Sequence, residues 1–126
     1  MEDDLRRQEF EAIVSASIDE LPPKLLEALN NVAISVEDMP SIADLTAAGL
    51  HSEQEIYGLY VGIPLTNRTT NYTMVVPDRI KIYKVPLERD FRDPEILKAQ
   101  IRKTVLHELG HLYGMDEGDL KDQGYS

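Results

Sequence analysis

Apolar positions recur at helical spacing near both ends of the chain and alternate in its middle. Phe10, Ile13, Val14, Ser17, Ile18 and Leu21 fall on one face of an amphipathic helix over residues 3–20. Pro22-Pro23 breaks that helix, since proline lacks a backbone donor, and a short helix over Lys24–Leu29 follows. Val32, Ile34 and Val36 alternate as in a half-buried strand. Residues 38–55 mix acids with Pro40 and Gly49 at no clear period and read as a long loop, a candidate substrate rim. Strands are expected near 57–61 and 79–85, with the polar stretch Thr66–Thr73 between them. Asp93-Pro94 then offers an N-cap and a proline at the first helical position. Leu97, Ile101, Val105, Leu109 and Leu112 continue as the apolar face of a second long helix, and Gly114 supplies its stop. After Leu106 this helix is apolar over most of its circumference, which predicts that its second half is buried.

That buried half carries polar residues of a particular kind. His107-Glu108-Leu109-Gly110-His111 spells HExxH. On a helix, histidines four apart sit one turn up the same face and can share one metal ion. Both lie beside the apolar face, on the side of Thr104 and Gln100. The intervening Glu108 projects about 100° round the axis, so it stays clear of the ligand positions and can take a proton from a water activated by the metal. Burying two imidazoles and a carboxylate is costly unless they are paired or bound to a metal. Gly114 extends the match to HExxHxxG, the pattern in which the chain leaves the helix and returns with a third ligand. The third histidine of that pattern would fall at Glu117, and a carboxylate there completes a sound zinc set. Asp116 is the alternative if the turn is tighter, and Asp119 reads as a cap for a short following helix.

Around these residues the chain resembles the small bacterial zincin-like metallopeptidases, the minimal zincins. HELGHLYGMDE, residues 107–117, carries the resemblance. Gly58–Leu65 is similar to the family's GLYxGxPL segment, and Pro77–Tyr83 to its PDRIxxF-like strand with Tyr83 in place of phenylalanine. The resemblance implies an α+β fold, a small mixed β-sheet packed on an N-terminal helix and a C-terminal active-site helix. It also implies a peptidase activity with one zinc ion per chain and a peptide or protein as substrate. Two departures stand out. Metzincins carry a methionine turn after the third ligand, whereas this sequence runs only to Ser126 and Met115 precedes the third-ligand position. Glu117 also stands where aspartate is the more usual acid.

Composition bounds the remainder. The 126 residues suit a single domain spanning 1–126, and 42% hydrophobic with 29% charged residues suits a soluble one. There is no cysteine, which removes thiolate ligands, cysteine nucleophiles and disulfides. The acidic start, Met1-Glu2-Asp3-Asp4, lacks a secretory signal pattern, and no run of roughly 20 apolar residues exists, so a cytoplasmic protein without membrane contact is expected. A net charge of −10 repels phosphate backbones and argues against nucleic acid as a partner. Lys98, Arg102 and Lys103 read as the solvated side of the second long helix.

The expected chemistry is amide hydrolysis, with His107, His111 and an acid holding zinc and Glu108 as general base. One of the two later strands is a candidate to hold an extended peptide by strand addition. Tyr60, Tyr72, Arg68 and Tyr113 are candidate oxyanion donors, although tyrosines more often bury a ring and satisfy one hydroxyl. His51, in the loop, is ordinarily a solvated side chain. Two rival classes are a metal-binding interaction module that no longer cleaves anything and a helical domain in which HExxH is accidental. Intact Glu108 argues against the first, and metal-dependent melting would separate the second.

Overall fold

The computed structural model describes residues 2–48, 57–62 and 78–112. Among them the order is α1 (Glu2–Asp19), α2 (Pro23–Ala28), β1 (Val32–Glu37), α3 (Ile42–Ala48), β2 (Gly58–Val61), β3 (Asp78–Tyr83), α4 (Lys84–Asp90) and α5 (Pro94–Leu112). The architecture is the expected small α+β fold, with a mixed sheet, an N-terminal helix and a C-terminal helix.

The strands lie in the order β1-β3-β2. β1 runs parallel to β3, from Val32 opposite Asp78 to Glu37 opposite Tyr83. β2 runs antiparallel to β3, from Gly58 opposite Ile82 to Val61 opposite Arg79. β3 is therefore central, and β2 has one neighbour among the described strands. Of the two later strands, only β2 lies at the edge of the sheet among the described residues.

Alternation along β3 divides the molecule into two layers. Ile80 and Ile82 are fully buried and join Phe10 and Val14 of α1 and Ile101, Val105, Leu109 and Leu112 of α5 in the main core. Each such side chain contributes about 1.5–3 kcal/mol on full burial, so α1 and α5 are held on this face mainly by apolar packing. Ser17, also buried in α1, donates its hydroxyl to the Ile13 carbonyl at 2.7 Å, which satisfies it within the helix. Lys81 and Tyr83 alternate with the two isoleucines and meet Asp44 of α3 instead.

Three expectations need correction. Residues 38–55 do not form one long loop, because α3 occupies Ile42–Ala48. Ser41 Oγ accepts the Asp44 N–H at 3.0 Å and Asp44 Oδ2 accepts the Ser41 N–H at 3.2 Å, a reciprocal cap that nucleates this helix without an apolar face. The strand expected through 85 ends at Tyr83, where α4 begins. Pro86 suits the first turn of α4, since the N–H groups there have no partner inside the helix. The Val85 N–H instead donates to the Asp38 carbonyl at 3.0 Å, tying α4 to the end of β1. Finally, Lys98 and Arg102 are not simply solvated. Both pair with Glu20 beyond the end of α1, Lys98 at 2.9 Å, and so clasp α1 to α5. The hydrogen bond from Lys98 first, and then the charges of Lys98 and Arg102, keep the Glu20 carboxyl below its ordinary pKa.

Candidate metal centre

α5 is built to deliver polar groups into an apolar layer. Asp93 Oδ1 accepts the N–H groups of Glu95 at 2.9 Å and Ile96 at 3.2 Å, so two orphan donors of the first turn are satisfied. Leu97, Ile101, Val105, Leu109 and Leu112 anchor the helix in the core. Thr104, His107 and Glu108 are carried inside with it, all at 0% exposure.

One helical turn brings the two imidazoles together. Nε2 of His107 and Nε2 of His111 stand 3.3 Å apart, with ring centroids 4.9 Å apart and planes at 79°. Glu108 Oε2 lies 3.7 Å from His107 Nε2. Ligand atoms of His107, Glu108 and His111 all fall within 4.8 Å of one another. This donor set fits zinc. Two nitrogens bound to one tetrahedral zinc at about 2.0–2.1 Å stand about 3.3–3.4 Å from each other, the separation the imidazole pair already has. Neutral imidazole is also the commonest metal ligand.

Glu108 is held from the sheet. Its Oε1 accepts the main-chain N–H of Tyr60 in β2 at 2.6 Å. Gly58 lets the strand approach, because a Cβ there would stand 2.5 Å from Thr104 Cγ2 and 3.7 Å from Glu108 Cγ. Two residues after Tyr60, Gly62 adopts φ +155°, and a Cβ there would meet Asp78 Oδ1 at 2.3 Å. Asp78 in turn accepts the Tyr60 hydroxyl at 3.1 Å. Tyr83, buried behind the strand, has its pKa raised by burial first, then by its hydrogen bond to Asp44 and the negative charges of Asp44 and Glu108. It therefore stays a neutral donor.

Residues 29–125 match the profile of the family described as zincin-like metallopeptidase. The chain belongs to the zincin-like metallopeptidase family. Membership implies zinc and a hydrolase acting on peptides. No curated protein matches the chain. The family match takes in all of α5 and the sheet but stops short of α1, which nonetheless supplies Phe10 and Val14 to the core shared with α5.

In this zincin-like chain α5 brings His107, Glu108 and His111 together. Tyr60 turns its hydroxyl to Asp78. Glu117, Asp116, Asp119, Gly114, Tyr113, Tyr72, Arg68 and His51 lie outside the described residues. Sequence reasoning missed the Tyr60 main-chain donor and the role of Gly58. A glycine opening a strand is the signal that could have exposed them, since it often marks close backbone approach. No helix among the described residues is long and apolar enough to cross a membrane.

Proposed function

We propose that this chain is a zinc-dependent peptidase, one domain over residues 1–126, in which His107, His111 and Glu117 hold the metal and Glu108 is the general base. The observation that carries this is the 3.3 Å approach of two imidazole nitrogens beside a fully buried carboxylate on one helix turn. Asp116 is the alternative third ligand. When bound, zinc lowers the pKa of water toward roughly 7 and polarises a carbonyl.

The chain's own residues do the rest. Tyr60 N–H fixes one oxygen of Glu108, and the other faces His107 Nε2. From there Glu108 takes the proton of the attacking water and passes it to the leaving amine. The substrate's extended backbone lies along β2 beside α5, with the Tyr60 N–H kept for Glu108.

Glu108→Gln tests the assignment. It should bind zinc like the wild type and lose roughly 10²–10⁴-fold in hydrolysis of labelled casein. Full hydrolysis with zinc retained would remove Glu108 from the mechanism.

A further inference from the structure

We infer that the main chain of β2 is the positioning element for the general base, with the Tyr60 N–H as the donor and Gly58 as the residue that permits it. This rests on Glu108 being the base. A glutamate has three rotatable side-chain bonds, and a base must be aimed before it is useful. α5 fixes only the Cα of Glu108. The orientation of its carboxylate comes from the sheet, through the 2.6 Å bond from Tyr60 N to Oε1. With that oxygen fixed, Oε2 is the one turned toward the imidazole pair, 3.7 Å from His107 Nε2.

The close approach has a specific cause. Gly58 sits over Thr104 and Glu108, and its absent side chain is what allows β2 to lie against α5 at this point. A Cβ at 58 would stand 2.5 Å from Thr104 Cγ2 and 3.0 Å from the Lys81 carbonyl. The strand would have to lift off the helix and carry the Tyr60 N–H away from Glu108. The side chain of Tyr60 has a separate task. Its hydroxyl bonds to Asp78, which pins the strand two residues further on. The donor to Glu108 is thus independent of side-chain identity at position 60, and the sequence requirement falls on Gly58.

The test compares the zinc-loaded wild type with Glu108→Ala, Gly58→Ala, Thr104→Ser and Gly58→Ala/Thr104→Ser. Thr104→Ser removes the methyl that the new Cβ would strike. Three properties are followed: the Tyr60 amide resonance, the visible spectrum of the cobalt-substituted protein, and casein cleavage. Glu108→Ala should move the Tyr60 amide upfield and speed its hydrogen exchange. Gly58→Ala should bind zinc normally, reproduce that amide shift, alter the cobalt spectrum and lower kcat about 10²-fold with KM unchanged. Thr104→Ser alone should behave as wild type, and the double variant should move amide position, spectrum and kcat together back toward wild type, short of it by the remaining contact with the Lys81 carbonyl. An ordinary structural weakening at position 58 would not split kcat from KM or alter the cobalt spectrum while zinc stoichiometry is kept.

A Tyr60 amide indifferent to Glu108→Ala overturns the inference. So does a Gly58→Ala protein that shifts the amide yet keeps the wild-type cobalt spectrum and full turnover. If the wild type binds zinc but cleaves no casein, the peptidase assignment is what fails. The amide and cobalt measurements then still decide whether β2 sets the orientation of Glu108.

Discussion

β3 has a carboxylate packed on each of its two sides, and the two are treated in opposite ways. On the α3 side, Asp44 meets Lys81 Nζ at 2.9 Å, the Tyr83 hydroxyl at 3.0 Å and the Ser41 N–H at 3.2 Å. Burial alone would raise its pKa, but the bonds from Lys81, Ser41 and Tyr83 outweigh that and leave it lowered. On the α5 side, Glu108 is more deeply buried, takes a main-chain donor on one oxygen, and turns the other toward an imidazole pair. An acid surrounded by the chain's own cation and hydroxyl is a tie between elements. An acid set beside two converging imidazoles is arranged for a cation the chain does not itself supply. Both acids are largely covered, and donor chemistry is what separates their roles.

The largest effect expected from breaking this contrast lies on the α5 side. His107→Ala or His111→Ala should abolish stoichiometric zinc, read by elemental analysis. Chelator should lower the melting temperature of the wild type by roughly 10 °C, the linkage expected near 100-fold saturation, and leave either variant unmoved. Equal melting of wild type with and without chelator would equate the two acids as structural ties. Next comes Asp44→Ala, which strands Lys81 and the Tyr83 hydroxyl. It should destabilise the fold by about 1–3 kcal/mol in urea unfolding without changing zinc stoichiometry. Loss of zinc in that variant would show that the two sides of β3 are coupled.

The pH dependence sharpens the same comparison. Asp44 has a lowered folded pKa, so its contribution is complete above the ordinary aspartate value of about 3.9 and is lost as pH falls through the folded value. Asp90 behaves likewise, held to about 2 by hydrogen bonds from Arg89 and then Tyr57. Urea midpoints should therefore fall on acidification below about pH 4, and Asp44→Asn should flatten part of that slope. An unchanged slope would remove Asp44 from the acid response. The smallest effect belongs to Ser41→Ala, which deletes half of the reciprocal cap on α3. It should cost about 1 kcal/mol and leave the metal centre untouched.

What could be read in advance followed the same division. The apolar faces of α1 and α5, the alternation of β1 and the HExxH spacing are periodic, and periodicity is what a sequence displays most openly. α3 and α4 escaped because neither presents a periodic apolar face. α3 is held by the Ser41–Asp44 cap and by Asp44 reaching Lys81 and Tyr83, while its Ile42 is 84% exposed. α4 begins where the apolar Val85 prolongs the strand pattern, although that side chain is 41% exposed. The basic residues of α5 misled for a related reason. A charge run suggests solvent until the opposite charge, Glu20, is placed against it by the fold. The pairing of β2 with Glu108 had the faintest signal, since a main-chain donor leaves no trace in residue identity.

The parallel pairing of β1 with β3 has a consequence in time. Residues 38–77 must be made before β1 finds its neighbour, and the partners of Phe10 and Val14 on α5 come later still. At about 5–20 residues per second, Phe10 waits roughly 5–20 s for Ile101 to be synthesised. Within that interval the apolar face of α1 gains the earlier core residues, Ile80 and Ile82 among them, but lacks its partners on α5. The imidazole pair sits on α5, the last of the described elements to be made, so a zinc ion held there would arrive after the sheet has been synthesised.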